Sequence, residues 1–349
     1  MTVLPGTAWR SIRDFQHNLY QELSITPGRP GPEVRLFGDI VYREGPAPRA
    51  FWHKTVLETP FIAEFGSIKE AADILRAIQR NWAYCPVASF RRAELIRARL
   101  PHVSDKPREF PYIVPRAPMG LWGLIDDKTL FASARTSSPF PGGELRFVED
   151  HENPPSRAYL KMYEALAWVS ALSGDEKPVI GVSSEASSRI PASAIPAPTI
   201  PTGRYSSALP GPGSRCLDAG ACPGGWTWAL TRLGASVTAI DRAELHPSLM
   251  AQPDVTFIKH DAFTLSPEEL GPQDWVCSDV ICYPPRLLEW VRKWLDSGLC
   301  QNYICTIKMQ GDADHETTRA FADIPGSRVV HLTANKNELT WIRLAPSAT

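Results

Sequence analysis

From residue 215 onward, short apolar segments alternate with amphipathic ones, and this alternation limits the possible folds more than any other feature. The segments RCLDAG, SVTAID, VTFIKHDAF, DWVCSDVICY, NYICTIKM and RVVHLTANKNELTWIRL predict strands, and several of the stretches between them predict helices. Strands that alternate with helices form βαβ units, in which parallel strands share one sheet with helices on both faces. The sequence therefore predicts an α/β fold with a doubly wound, mostly parallel sheet.

The chain ahead of this region has a different character. Residues 1–150 are rich in proline and arginine and predict short strands and helices, so we expect a smaller α+β domain there and the sheet domain over 151–349. Residues 67–82 predict an amphipathic helix that begins with a capping box of Ser67 and Glu70. Residues 183–214 are rich in serine, alanine and proline and predict a flexible insertion.

Composition excludes several classes of protein. The 349 residues carry a formal net charge of −1, so any site for a polyanion must be a local patch. The chain starts without a signal-like apolar segment and has no run of about 18 apolar residues, so we expect a cytoplasmic protein without a membrane span. Its seven cysteines form no C-x-x-C pair, and we expect buried, reduced thiols and no metal site.

The segment LDAGACPGGWTWAL, which starts at Leu217, places a carboxylate and a glycine turn at the end of the first strand of this region. Ligands of doubly wound sheets bind beyond the carboxyl ends of the strands, and glycines let the backbone approach them closely. The spacing G-x-x-x-G-G differs from the G-x-G-x-x-G of dinucleotide sites, and no P-loop lysine is present, which argues against a pyrophosphate.

Two further carboxylates complete this pattern. Asp241 and Asp261 end the next two predicted strands, where acidic side chains can reach ribose hydroxyls and an adenine amino group. A nucleoside without a pyrophosphate, surrounded by carboxylates, suggests S-adenosyl-L-methionine (SAM), which carries two positive charges. The predicted cofactor-binding residues are Asp218, Gly220, Cys222, Pro223, Gly224, Gly225, Trp226, Asp241, Asp261 and Asp279. Trp226 also fits as a packing residue of the helix that follows the turn, as does Trp228.

The segment DAGACPGGWTWAL resembles the first motif of the FtsJ-like ribose 2′-O-methyltransferases, and residues 137–165 are similar to the approach to the catalytic domain in their RlmM-type branch. The resemblance extends over about residues 121–344. It implies a Rossmann-like SAM-dependent fold with an antiparallel last strand, and a ribosomal RNA substrate. It also implies a catalytic Lys-Asp-Lys-Glu tetrad, which the positions Lys161, Asp279, Lys308 and Glu338 match.

The chemistry of a ribose 2′-hydroxyl explains why such a tetrad is needed. This weak acid must lose its proton as it attacks a methyl group, and a buried lysine with a lowered pKa can accept that proton or stabilise the alkoxide. The resemblance assigns this role to Lys308, while Asp279, Lys161 and Glu338 fix its charge and orient the ribose. No metal is required for this reaction.

The residues after Asp279 depart from the family pattern. The segment SDVICYPP stands where the family has SDMAP, so we expect a differently shaped loop on the substrate side. Tyr283 or Pro284 is a candidate for stacking on a base, although ordinary loop packing is the commoner role for such residues.

RNA binding needs a positive surface, and one local cluster is strongly basic. Its six arginines, interleaved with Trp82 and Tyr84, are Arg76, Arg80, Arg91, Arg92, Arg97 and Arg99. Arginines that contact phosphates beside aromatic residues that stack on bases are common in RNA-binding proteins. The resemblance implies that residues 1–150 are a divergent counterpart of a THUMP-like RNA-binding region.

Two other functions stay open on the sequence. The chain can be an RNA-binding protein on a methyltransferase scaffold without turnover, or a methyltransferase that acts on a base or a protein. Base-amine methylation usually needs a polar-Pro-Pro-aromatic loop after the fourth strand, whereas here the two prolines follow Tyr283. A nicotinamide-dependent oxidoreductase fits the glycine spacing less well.

Overall fold

The computed structural model describes residues 1–26, 28, 31, 33–46, 48–173 and 209–345. Most of the predicted insertion at 183–214 therefore lies outside the described residues. Within the described part of the chain, no helix is long and apolar enough to cross a membrane.

The first part of the chain folds into two small sheets with helices beside them. Its strands are β1 (Thr2–Val3), β2 (Gly6–Ser11), β3 (Val34–Phe37), β4 (Ile40–Glu44), β5 (His53–Leu57), β6 (Phe61–Glu64), β7 (Trp82–Tyr84), β8 (Gly120–Leu124) and β9 (Thr129–Ser133). Its helices are α1 (Gln16–Glu22), α2 (Ile68–Ile78) and α3 (Phe90–Arg97). One sheet has the antiparallel order β3-β4-β2-β5, and the other has the order β1-β6-β9-β8-β7 with only β7 and β8 parallel.

Helix α2 shows where local sequence signals hold and where tertiary structure overrides them. As predicted, Ser67 caps its start by accepting a hydrogen bond from the Glu70 backbone at 3.1 Å. The helix ends at Ile78 instead of continuing to residue 82, because Trp82 joins β7. The Trp82 indole Nε1 donates a hydrogen bond to the Leu75 carbonyl at 2.9 Å. The Trp82 side chain therefore still contacts the last turn of α2, although its backbone belongs to β7.

The second part of the chain is built on one seven-stranded sheet. Its strands are β10 (Arg215–Ala219), β11 (Ser236–Asp241), β12 (Val255–Lys259), β13 (Trp275–Ser278), β14 (Asn302–Lys308), β15 (Ser327–Val330) and β16 (Glu338–Arg343). The order is β12-β11-β10-β13-β14-β16-β15, and among these strands β16 alone runs opposite to the other six. The helices are α4 (Tyr159–Leu172), α5 (Gly225–Arg232), α6 (Pro247–Met250), α7 (Pro267–Leu270), α8 (Pro284–Ser297) and α9 (His315–Ala322). The predicted doubly wound fold with an antiparallel last strand is confirmed.

A shared hydrophobic core joins the two parts. Trp9 and Trp52 from the first part belong to the same cluster of buried side chains as Trp294 on α8 and Trp341 on β16. Polar contacts cross the same boundary, because Arg49 donates hydrogen bonds to the Asp323 carboxylate and to the Ala322 carbonyl, both at 2.9 Å. The first part is therefore packed against the seven-stranded sheet and its helices.

Candidate active site

Four elements of the second part bring the predicted tetrad to one place. Lys161 lies in the first turn of α4, Asp279 directly follows β13, Lys308 ends β14 and Glu338 begins β16. Because β14 and β16 are antiparallel neighbours, the sheet register sets Glu338 opposite Lys308. The parallel pairing of β13 with β14 ends both strands at the same edge, which brings Asp279 beside Lys308.

The strand predicted for DWVCSDVICY is shorter than expected. It ends at Ser278, and residues 280–283 are irregular, so this part of the prediction was wrong. The Ser278 hydroxyl donates to the Ala219 carbonyl at 3.0 Å, and Pro284 and Pro285 start α8. Proline at the first positions of a helix favours a helix start, so the chain must leave the sheet before it.

The four side chains form one compact ionic network. The Lys161 Nζ lies 2.6 and 2.7 Å from the two oxygens of Asp279, and 3.2 Å from Glu338 Oε1. The Lys308 Nζ lies 3.1 Å from Asp279 Oδ1. All four side chains are only 10–18% exposed. Asp279 therefore bridges the two ammonium groups. The negative charges of the two carboxylates balance the positive charges of the two lysines in a largely buried network.

An open cleft of about 430 Å³ lies beyond the carboxyl edge of the sheet and reaches this network. Asp279 and Lys308 line the cleft, whereas Lys161 and Glu338 do not. Lys161 directs its ammonium group at three carboxylate oxygens, whereas Lys308 makes one ion pair among the described residues. Lys308 is thus the lysine of the tetrad that faces the cleft.

The glycine turn after β10 forms the floor of the cleft. Gly220 has a positive φ of 79°, and a Cβ built on it would lie 2.7 Å from the Val280 Cβ. A Cβ on Gly225 would lie 2.5 Å from the Ser156 Oγ and 3.2 Å from the Ala158 Cβ, so a side chain there would require Ser156 to move. Gly224 is the N-cap residue that precedes α5, and it is the one predicted cofactor-binding residue that does not line the cleft.

We expect Gly220→Ala to lower the free energy of unfolding by about 1–3 kcal/mol, the usual cost of a strained backbone position. It should also weaken SAM binding, because the new methyl group displaces Val280 at the cleft. Chemical denaturation and titration calorimetry measure the two effects. Gly298→Ala is the matched control, since Gly298 also has a positive φ, of 69°, but has open space around its Cα. Wild-type SAM affinity in Gly220→Ala would contradict this account of the turn.

The two carboxylates at the strand ends are held by different partners. Asp241 accepts hydrogen bonds from the backbone of Cys222 at 3.0 Å and of Ala243 at 2.9 Å, so it ties the glycine turn to β11. Asp261 lies two residues beyond β12, where it pairs with Arg242 at 2.5 Å and Arg286 at 3.4 Å. These two arginines, at the rim of the cleft, were missed from the sequence, because nothing local indicates that Asp261 pairs with them.

Asp218 is the most deeply buried carboxyl group of the cleft. Its Oδ2 accepts a hydrogen bond from the Thr227 hydroxyl at 2.6 Å, and its Oδ1 has no hydrogen-bond partner among the described residues. Burial raises the pKa of Asp218 to about 7. An unpaired carboxylate oxygen in a cleft of this size fits a ligand with a positive charge or a hydrogen-bond donor.

The raised pKa of Asp218 predicts a specific pH dependence of stability. Because the folded state holds this proton more tightly than the unfolded chain, the group makes the fold less stable as the pH rises from about 4 to about 7. Asp218→Asn cannot ionise, so its melting temperature relative to wild type should increase over that pH range. Asp296→Asn, at an exposed carboxyl group, is the control. A difference that stays constant with pH would contradict the assignment.

Trp226 and Trp228 both pack within the protein, and the cysteines are free thiols. Trp226 lines the cleft, but its indole Nε1 donates to the Ala158 carbonyl at 3.0 Å and ties α5 to α4. Trp228 is buried and packs edge-on against Tyr159, at 5.2 Å between ring centroids. All seven cysteines are free thiols, and six of them are buried; Cys222 is the partly exposed one. No cluster of three metal-binding side chains occurs in the described ranges.

The arginine cluster lies away from this cleft. None of the six arginines lines it, and two of them are paired: Arg76 with Asp73, and Arg97 with Glu94 at 3.4 Å and Asp105 at 3.6 Å. Arg97 instead lines a second, larger cleft of about 770 Å³ in the first part of the chain, beside several other basic residues.

The strand order, the glycine turn and the acidic cleft together define a Rossmann-like fold with a ligand cleft at the carboxyl edge of its sheet. Residues 204–332 match the family model described as FtsJ-like methyltransferase, and the predicted resemblance is confirmed over this segment. SAM is the cofactor that this family indicates, and the residues of the cleft fit it: Asp218, Asp241 and Asp261 line the cleft.

Several curated proteins that are similar to this chain share one name, Ribosomal RNA large subunit methyltransferase M. The protein from Xylella fastidiosa is 36% identical over 62% of this chain and 53% of its own length. The protein from Azoarcus sp. is 31% identical over 49% of this chain and 38% of its own length. The protein from Xanthomonas axonopodis pv. citri is 29% identical over 73% of this chain and 61% of its own length. The chain thus spans about half the length of the relatives that it matches.

Proposed function

We propose that this protein transfers a methyl group from SAM to a ribose 2′-hydroxyl of RNA, with large-subunit ribosomal RNA as the substrate. One observation carries the proposal: Asp279 bridges Lys161 and Lys308, and Lys308 faces the cleft. The names of the relatives support ribosomal RNA as the substrate class.

The arrangement of the tetrad supports a division of roles. When bound, SAM supplies an electrophilic methyl group on a sulfonium. Lys308 lines the cleft, where its neutral amine can accept the proton of the attacking hydroxyl and its ammonium form can stabilise the alkoxide. Asp279 holds Lys308 in place at 3.1 Å, while Lys161, itself held by Glu338, holds Asp279 from behind. Such fixed charges act without reorganising during the reaction.

We further propose the functions of the two parts of the chain. Residues 151–349 form the methyltransferase domain, and residues 1–150 form a THUMP-like unit that binds RNA in the cytoplasm. The six arginines on and around α2 and α3 are candidate phosphate contacts, and the basic side chains of the larger cleft extend this surface. In the cofactor cleft, we assign Asp241 to the ribose of SAM and Asp261 to its adenine, since both carboxylates line the cleft.

The direct test is methyl transfer by the full chain. We expect tritium from methyl-labelled SAM to enter an unmodified transcript of large-subunit ribosomal RNA, and no tritium to enter DNA of the same sequence, which lacks the acceptor hydroxyl. A protein that binds SAM and the transcript but transfers no methyl group would instead be a scaffold without turnover, and the proposal would fail.

A further inference from the structure

The loop between β13 and α8 exposes two large apolar side chains. Ile281 is 77% exposed and Tyr283 is 64% exposed, while Cys282 between them and Pro284 after them are buried. Burial therefore alternates along the loop. Cys282 and Pro284 pack against the protein, whereas Ile281 and Tyr283 extend into solvent. Of the two residues that the sequence offered for stacking, Pro284 packs inside and Tyr283 does not.

The position of this loop is more informative than its exposure. It directly follows Asp279 of the tetrad, and Val280 packs against Gly220 in the glycine turn. Ile281 lines the same cleft as Lys308. The loop therefore borders the cleft that contains Lys308, and Tyr283 lies next to the cleft-lining residues Cys282 and Ile281 without lining the cleft itself.

The loop is also fixed in place, and a cation stands next to it. The Tyr283 carbonyl accepts hydrogen bonds from the backbone of Arg286 at 3.1 Å and Leu287 at 3.3 Å, which anchors it at the start of α8. Arg286 is three residues further on, so it lies about one helical turn from Tyr283. Its guanidinium is 5.1 Å from the Phe263 ring and pairs with Asp261, which holds a half-exposed positive charge at the rim.

We propose that Ile281 and Tyr283 form a stacking surface for an unpaired base of the RNA substrate, with Arg286 contacting a neighbouring phosphate. This inference rests on the proposed function, because a base beside this surface is covalently joined to the ribose at Lys308 or to the next nucleotide. An unpaired base has an apolar face flanked by anionic phosphates, which matches an exposed aromatic ring and aliphatic side chain beside an arginine.

Steady-state kinetics of the full chain test the surface. With labelled SAM and the ribosomal RNA transcript, we expect Tyr283→Ala to raise the KM for RNA about tenfold, a typical loss for one stacked base, without changing SAM affinity. Ile281→Ala should have a smaller effect in the same direction, and Tyr283→Phe should behave as wild type because it keeps the ring. Ile113→Ala, at an isoleucine that is 66% exposed elsewhere, is the matched control.

A binding experiment separates failure of this inference from failure of the proposed function. The probes are an oligoadenylate and an abasic ribose-phosphate oligomer of the same length. We expect Tyr283→Ala to bind the oligoadenylate about tenfold more weakly than wild type and the abasic oligomer equally well. Equal losses on both probes, no loss on either, or no binding of the oligoadenylate by wild type would overturn the stacking surface. Wild-type protein that binds the oligoadenylate in this way but transfers no methyl group would overturn the proposed function alone.

Discussion

Lys308→Ala is expected to reduce methyl transfer to RNA by about 10²–10⁴-fold, the usual contribution of a general base, while SAM binds as in wild type. The reason is that Lys308 is the tetrad lysine that lines the cleft, whereas Lys161 is engaged by Asp279 and Glu338 behind it. Initial rates with labelled SAM measure the activity, and calorimetry measures the affinity for SAM.

The chain offers a close control for this substitution. Lys259 also ends a parallel strand of the same sheet, but it is 63% exposed and pairs with Glu244 at 3.3 Å. Lys259→Ala should therefore keep nearly full activity. Full activity in Lys308→Ala would show that the assignment of the tetrad is wrong. An equal loss of activity in both variants would show that the loss of a positive charge, and not the position of Lys308, causes the effect.

Trp52→Ala is expected to lower the free energy of unfolding of the whole chain by about 3–5 kcal/mol, as removal of a buried large aromatic side chain usually does. Trp52 is fully buried in the cluster that joins the two parts of the chain, with Phe15 at 5.7 Å and His331 at 6.1 Å between ring centroids. Its neighbour His331 belongs to the second part of the chain, so both parts should lose stability together.

Denaturant unfolding followed by circular dichroism and by loss of SAM binding tests this expectation. Both signals should move together to lower denaturant in Trp52→Ala, and Trp52→Phe should lose less because it keeps an aromatic ring. If SAM binding were lost at the wild-type denaturant concentration while part of the helical signal unfolded earlier, the two parts would have separate cores.

The sheet could be predicted from sequence because its signals are local. Apolar runs such as NYICTIKM alternate with helical segments, and the glycine turn and Asp218 mark the edge where a ligand binds. The sequence positions of Lys161, Asp279, Lys308 and Glu338 could be named from motifs. Their individual contacts could not, since which lysine faces the cleft depends on the register between β14 and β16 and on the packing of α4.

Other features depend on contacts between residues far apart in the chain. The shared core of Trp52 and Trp341 joins segments that no periodicity relates, and the pairing of Asp261 with Arg286 requires β12 and α8 to meet at the rim. The shorter β13 has a local cause instead, because DWVCSDVICY is apolar enough for a longer strand but is followed directly by a helix start. The helix start at Pro284 and Pro285 ends the strand early and leaves Tyr283 exposed.

Identifying the atom of the RNA that receives the methyl group is the most direct test of the proposed ribose 2′-hydroxyl methylation. Ribosomal RNA transcript labelled by the full chain would be digested to nucleosides and separated by chromatography against standards. The tetrad predicts that the label is recovered in a 2′-O-methylated nucleoside and that Lys308→Ala removes it. Label in a base-methylated nucleoside, or in a 2′-O-methylated nucleoside formed equally by Lys308→Ala, would contradict the proposed role of the tetrad.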